Sequence, residues 1–263
     1  MYSPLQLAKK YLKYYFSASN GKGHGIHSPF VFDFVKHVLN DNGPYDHYIT
    51  VGDTRQKLLR DKRVLNVQDF GAGSITLKNN KRTVSGIAKT SLKPAKYGKL
   101  LFRIAKYYES KNVLELGTSL GVTTSYLSKA VETVHTIEGS PEIAAVAKEC
   151  FQKMHLNNIR LHTGTFEQHL KPVLESMPRV DLAFVDGNHR YKPTLEYFGQ
   201  IKHSVHENSI LIFDDIHWSS EMEAAWEEIK KDDAVTLTID LFFIGIVFFR
   251  KDFKHRQHFT IRF

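Results

Sequence analysis

Glu115-Leu-Gly-Thr-Ser-Leu-Gly121 is the stretch of this 263-residue chain whose residue types first invite chemistry. It follows an apolar run, Val113–Leu116, and leads into a helical pattern. Gly117 and Gly121 let backbone approach a ligand closely, and the amides at a helix start suit an anion. The next apolar run, Thr133-Val-His-Thr-Ile-Glu138, ends in a carboxylate about 20 residues beyond the loop, where βαβ cofactor folds place an acid for both hydroxyls of a ribose. Together the two features imply a nucleoside-containing cofactor. The anion at the helix end is either a pyrophosphate or a carboxylate.

Later runs end in acids as well. One reads Phe184-Val-Asp186-Gly-Asn-His189-Arg-Tyr191, and the next Phe213-Asp214-Asp215-Ile-His217-Trp218. Adjacent parallel strands would bring Asp186 together with Asp214 and Asp215. Three such carboxylates repel unless a cation, a proton or a base role accommodates them. The imidazole of His189, with an ordinary pKa of about 6.5, suits general-base work on a hydroxyl or amine. Two other features carry less. His24-Gly-Ile-His27 has no neighbouring acids or cysteines to complete a metal site, and Asp69-Phe-Gly-Ala-Gly-Ser74 imitates a cofactor loop without a βαβ unit behind it, so it reads as a turn. Contact of that loop with cofactor or substrate is its alternative.

The elements that position these groups follow from the hydrophobic pattern. Before residue 90, short apolar stretches broken by glycine and asparagine predict helices over 4–16, 28–39 and 52–64. Tyr97–Tyr108 repeats leucine, phenylalanine and isoleucine at helical spacing. Beyond it, β-rich runs at Val113–Leu116, Thr133–Ile137, Ile159–His162, Leu182–Val185 and Ile210–Phe213 alternate with helical stretches at Thr123–Ala130, Pro141–His155, Phe166–Ser176, Pro193–Ser204 and Ser220–Lys230. Such alternation predicts βαβ units and a parallel sheet covered on both faces. Val235–Leu241 and Ile246–Arg250 leave no room for a helix between them, so they form a closing antiparallel hairpin. The expected fold is α/β: a doubly wound, mostly parallel seven-stranded sheet over residues 91–263, with a mainly helical extension over 1–90.

Composition narrows the class. Hydrophobic residues at 42% and charged ones at 24% exclude wholesale disorder. One cysteine, Cys150, excludes a disulfide framework or a multi-cysteine zinc site. The N-terminal residues lack a signal-peptide layout, and the longest apolar run, Leu241–Phe249, falls short of the ~20 residues a spanning helix needs. The expectation is a soluble, cytoplasmic protein with no membrane partner. A net charge of +8 leaves a nucleic-acid partner open, but no RNA-recognition aromatic motif accompanies it.

Val113–Gly121 with Glu138 resembles the cofactor site of class I S-adenosylmethionine-dependent methyltransferases, whose loop reads acid-x-Gly-x-x-x-Gly. Ser119 stands where a dinucleotide loop would have its second glycine, and the closing hairpin is also part of the family's topology. The resemblance covers roughly residues 95–250. It implies that Glu115, Gly117, Thr118, Ser119 and Gly121 line the methionine end of S-adenosylmethionine and that Glu138 holds the ribose. It places Gly164, Thr165 and Phe166 at the adenine, although Thr165 stands where members often have an acid. Within the family the strand ends are closest to the catechol-type O-methyltransferases, which bind magnesium there. This makes Asp186, Asp214 and Asp215 candidate Mg2+ ligands, with Asp186 also beside the cofactor. This chain has Asp214-Asp215 where those enzymes often have Asp-Asn.

The Asp186-Gly-Asn-His189 segment also resembles an uncharacterised branch, with Asp186, His189 and Asp215 as catalytic candidates. The implied activity is methyl transfer to a hydroxyl or amine of a small molecule, with residues 1–90 as lid and a homodimer among the partners. The alternatives are RNA or protein methylation, a catalytically silent cofactor-binding protein, and a nicotinamide dehydrogenase, which Ser119 and the hairpin disfavour.

Overall fold

The computed structural model describes residues 1–67 and 81–263, so the Asp69–Ser74 loop lies outside the described residues. In chain order the elements are α1 (Pro4–Ser17), α2 (Pro29–Phe34), α3 (His47–Leu58), β1 (Val64–Asn66), β2 (Lys81–Thr83), α4 (Val84–Ser91) and α5 (Ala95–Tyr107). Strands and helices then alternate through β3 (Asn112–Leu116), α6 (Val122–Ser128), β4 (Thr133–Glu138), α7 (Pro141–Lys153), β5 (Ile159–Thr163), α8 (Phe166–Ser176), β6 (Val180–Val185), α9 (Tyr191–Lys202), β7 (Val205–Asp214) and α10 (Ser220–Lys231). The chain closes with β8 (Leu237–Asp240), β9 (Ile244–Phe248) and β10 (Gln257–Thr260). These contacts divide it into two compact units, residues 42–178 and residues 1–41 with 179–263.

In the 42–178 unit, β3, β4 and β5 pair in parallel, in that order, with Val113 beside Val134 and Val134 beside Ile159. Their carboxyl ends therefore carry the glycine loop, Glu138 and Thr163-Gly164 in adjacent positions. α7 begins with Pro141 at its first turn, where the missing amide costs nothing. It buries Ile143, Val146, Ala147, Cys150 and Phe151 in a core shared with Leu120, Val122 and Tyr126. Burial pushes the Cys150 thiol up to about 11, so the only cysteine is a packing group and not a nucleophile.

In the other unit, β6 and β7 run parallel, β9 runs antiparallel to both β7 and β8, and β10 adds in parallel to β8. The fold is thus α/β with a mostly parallel sheet and the closing antiparallel hairpin, but of eight strands, one more than the pattern predicts. β10 escapes the pattern because Gln257-His-Phe-Thr has no apolar run. β1 and β2 form a separate antiparallel ribbon of three residues each.

The N-terminal helices differ from the pattern in detail. The helix predicted over 28–39 is α2 followed by one π turn over Val35–Leu39, closed by the Asn40 amide on the Val35 carbonyl at 3.1 Å. That predicted over 52–64 is α3, which begins and ends about a turn earlier. α1 packs through Tyr14 against Phe242, with Leu7, Tyr11 and Phe243 at the edges, and the Tyr14 hydroxyl bonds the Ile261 carbonyl. Among the described residues no helix is long and apolar enough to cross a membrane.

Gly121 shows why the loop needs glycine for packing alone. Its φ is 78°, and a Cβ there would meet the Phe151 ring of α7 at 2.5 Å. Gly121→Ala is expected to destabilise the chain by about 2–4 kcal/mol, read as a fall in Tm. An unchanged Tm would show that α7 yields without cost.

Candidate active site

The loop after β3 is fastened to the end of β4 by its own backbone. The amides of Gly117 and Thr118 donate to the Ile137 carbonyl at 3.0 and 3.2 Å, and that of Gly121 donates to the Thr118 carbonyl at 2.9 Å. The Ser119 amide donates to Glu138 Oε2 at 2.8 Å. These four loop amides donate within the protein, ahead of the first helical residue, Val122. What Gly117 offers is a surface without a side chain, at φ 100°. Ser119 also sits in the left-handed region, at φ 48°, a conformation that persists in a non-glycine residue only when its surroundings fix it. The bond to Glu138 does so.

Beneath the loop, Glu115 is fully buried. Its Oε2 accepts from the Thr124 hydroxyl at 2.5 Å and the Thr136 hydroxyl at 2.6 Å. Because Thr136 donates to Glu115, it must accept from Thr118 across their 2.5 Å contact. A carboxylate removed from water needs such donors, and these bind together β3, β4, the loop and α6. Spacing alone cannot show this network, because threonines in a strand look like ordinary strand formers.

Glu138 is half-buried and oriented by two amides, Ser119 on Oε2 and Ser140 on Oε1 at 2.9 Å. A carboxylate has about four acceptor positions, so two amides fix its plane while leaving capacity for a diol. Next along the sheet, the Gly164 amide donates to the Glu138 carbonyl at 2.9 Å. Thr165 caps α8: its hydroxyl accepts from the Gln168 amide, and its own amide donates to the Gln168 side chain at 3.0 Å. Its polar groups thus serve the helix, leaving backbone at Gly164 and the half-buried ring of Phe166 as the groups suited to a flat base.

A histidine stack that the motifs did not reveal lies on the other face of β4. His135 and His162 stack at 5.5 Å, and burial first, then the neighbouring His162 and Arg160, push the His135 pKa down to about 4. Both are neutral packing groups at neutral pH.

In the other unit, the loop after β6 brings two functional candidates, Asp186 and His189, close together. His189 Nε2 lies 3.4 Å from Asp186 Oδ1, and both side chains are about one quarter exposed. Asn188 and His189 take φ values of 65° and 36°. The Asn188 amide group donates to the Tyr197 hydroxyl at 3.0 Å, and the His189 amide donates to the Gly187 carbonyl at 2.9 Å. Two non-glycine residues in this region mark a loop held against its backbone preference so as to present the imidazole.

Among the described residues no group of three or more His, Cys, Asp or Glu side chains is arranged to hold a metal ion. Asp214 is fully buried, Asp186 faces His189, and Asp215 is turned into the left-handed region at φ 54° with its amide on the Phe243 carbonyl. Parallel pairing of β6 with β7, Val185 beside Phe213, places these residues at neighbouring strand ends.

His217 proves to be a structural group. Its Nδ1 and Nε2 meet Glu223 at 3.0 Å and Asp240 at 2.8 Å, and Glu223 also accepts from the Tyr2 hydroxyl at 2.7 Å and from Lys10 at 3.0 Å. This cluster ties α1 to the β7–α10 connection. The sequence could not show it, because its members are separated by more than two hundred positions.

A family model described as a methyltransferase domain matches residues 114–216. The chain is 27% identical over 143 residues to the catechol O-methyltransferase of Niastella koreensis, covering 52% of this chain and 63% of that protein. It is 24% identical over 146 residues to an uncharacterised protein of Acanthamoeba polyphaga mimivirus, covering 51% of this chain and 66% of that one. The chain thus spans less than two thirds of the length of these relatives. An S-adenosylhomocysteine-bound methyltransferase from Podospora anserina shares the fold, with a TM-score of 0.59 at 13% identity, covering 95% of this chain and 98% of that one.

Burial alone would lower the His217 pKa, but the carboxylates of Asp240 and Glu223 outweigh it and raise the value. The stabilisation is therefore complete below the ordinary imidazole pKa of about 6.5 and is lost as pH rises through the higher folded value. His217→Gln should cost about 1–2 kcal/mol in denaturant unfolding at pH 6 and clearly less at pH 9. An equal loss at both pH values would contradict the charged pairing.

Proposed function

We propose that this chain, whose residues 114–216 match a methyltransferase-domain family model, is a class I S-adenosylmethionine-dependent methyltransferase that methylates a hydroxyl group of a small molecule. The observation that carries the proposal is Glu138, a carboxylate oriented by the Ser119 and Ser140 amides beside the bare surface of Gly117. That arrangement suits a ribose diol next to a group needing close backbone approach. The cofactor loop and the adenine-side residues all belong to the 42–178 unit, and the base candidates belong to the other. Bound there, the cofactor's sulfonium would supply an electrophilic methyl group.

The chain's own contribution is to hold the donor and to remove a proton from the acceptor. Glu138 would accept from the ribose hydroxyls, Gly117 would admit the methionine end, and Phe166 would cover the adenine. Glu115, bonded by Thr124 and Thr136, keeps the loop in its cofactor-receiving shape. His189 would take the acceptor's proton at Nε2, with the Asp186 carboxylate orienting the ring and stabilising the imidazolium. Asp215 has no defined part in this scheme. The scheme routes no step through a metal ion. The likeness to a catechol O-methyltransferase supports a hydroxyl acceptor, and residues 1–90 are proposed to select it.

Calorimetry with S-adenosylhomocysteine is expected to show binding that Glu138→Ala weakens by about tenfold or more. Unchanged affinity would remove Glu138 from the ribose role. In turnover of a catechol-like acceptor, His189→Gln should lower kcat by ~10²–10⁴ while EDTA has no effect. EDTA-sensitive turnover, or full activity in His189→Gln, would return the proton-acceptor and metal assignments to the strand-end carboxylates.

A further inference from the structure

α1 carries two apolar faces, and among the described residues only one is packed inside the protein. Leu7, Tyr11 and Tyr14 point inward against Phe242 and Phe243. On the opposite side, Leu5, Leu12 and Phe16 are 67%, 55% and 78% exposed, in line at helical spacing over about 16 Å. Tyr15 borders this stripe at 43% exposure. Large exposed side chains in a row, and not scattered singly, mark an interaction surface.

Charge specifies the partner. α1 has three lysines and no acid. Lys10 turns inward to Glu223, whereas Lys9 and Lys13 are exposed along one flank of the stripe. The other flank carries Arg262, whose guanidinium lies 4.9 Å from the Tyr15 ring centre. Two copies docked by antiparallel α1 helices would set Lys9 and Lys13 against the same lysines, on chains of net charge +8. An apolar ridge with cations on both flanks instead complements a layer that is anionic at its surface and apolar just beneath.

We propose that the outer face of α1 docks on an anionic lipid bilayer, with Leu5, Leu12 and Phe16 entering the headgroup–acyl boundary and Lys9, Lys13 and Arg262 facing the lipid charge. The earlier exclusion of a membrane partner rested on spanning length, which an interfacial helix does not need. Docking through α1 is independent of the methyl-transfer proposal.

The test is co-sedimentation of the full chain with vesicles of phosphatidylcholine alone and of phosphatidylcholine mixed with phosphatidylglycerol. The expected result is binding to the mixed vesicles only, weakened by salt and reduced about tenfold or more in a Leu12→Ser, Phe16→Ser double variant and in a Lys9→Glu, Lys13→Glu double variant. These side chains are exposed, so each variant should keep the parent Tm. Failure to bind the mixed vesicles, equal binding to both lipids, or binding indifferent to either variant would overturn the proposal. So would a dimer in sedimentation velocity that Phe16→Ser dissociates while no vesicle is bound.

Discussion

A carboxylate taken out of water must be met by donors, and two such groups organise the cofactor end of this molecule. Glu115 lies under the glycine loop with the hydroxyls of Thr124 and Thr136 on one oxygen, and Thr118 relays through Thr136. Glu138 closes the next strand and draws in the amides of Ser119 and Ser140. Through these bonds the loop, two strands and the starts of two helices become one rigid assembly. The left-handed backbone of Ser119 and of Gly117 is held within it.

The loop after β6, in the other unit, is strained. In the loop after β6, Asn188 and His189 occupy conformations that side chains disfavour, and the loop is held there by Tyr197 and by the pairing of His189 with Asp186. One region offers a carboxylate fixed for a diol, and the other an imidazole fixed by a carboxylate. In the proposed reaction, donor binding and proton removal would fall to different stretches of chain, each built on the carboxyl end of a parallel strand, where α/β folds place their chemistry.

Much of this was legible in the residues. Apolar runs marked β3, β4, β6 and β7, because strands buried on both faces admit few polar residues, whereas half-exposed β5 was marked by its β-branched and apolar residues between helical stretches. The acid-x-Gly-x-x-x-Gly loop and Glu138 were legible because their roles depend on residue type at fixed spacing. β10 was not, since Gln257-His-Phe-Thr pairs through its backbone without an apolar signature, nor was the π turn at Val35–Leu39, which is a matter of hydrogen-bond register. The threonine network around Glu115 and the His217 cluster stayed hidden because tertiary pairing, and not local pattern, selects their partners. The adjacency of Asp186, Asp214 and Asp215 at strand ends was legible too, but it says nothing about where their carboxylates point.

The claim at the centre is that Glu138 and the Gly117 surface form the seat of an adenosine-bearing sulfonium donor. A crystal structure of the chain grown with S-adenosylhomocysteine tests it most directly. The account predicts both ribose hydroxyls on the Glu138 carboxylate, the sulfur end passing over Gly117, and the base against Gly164 and Phe166. A ligand seated elsewhere, or a ribose that avoids Glu138, would contradict it.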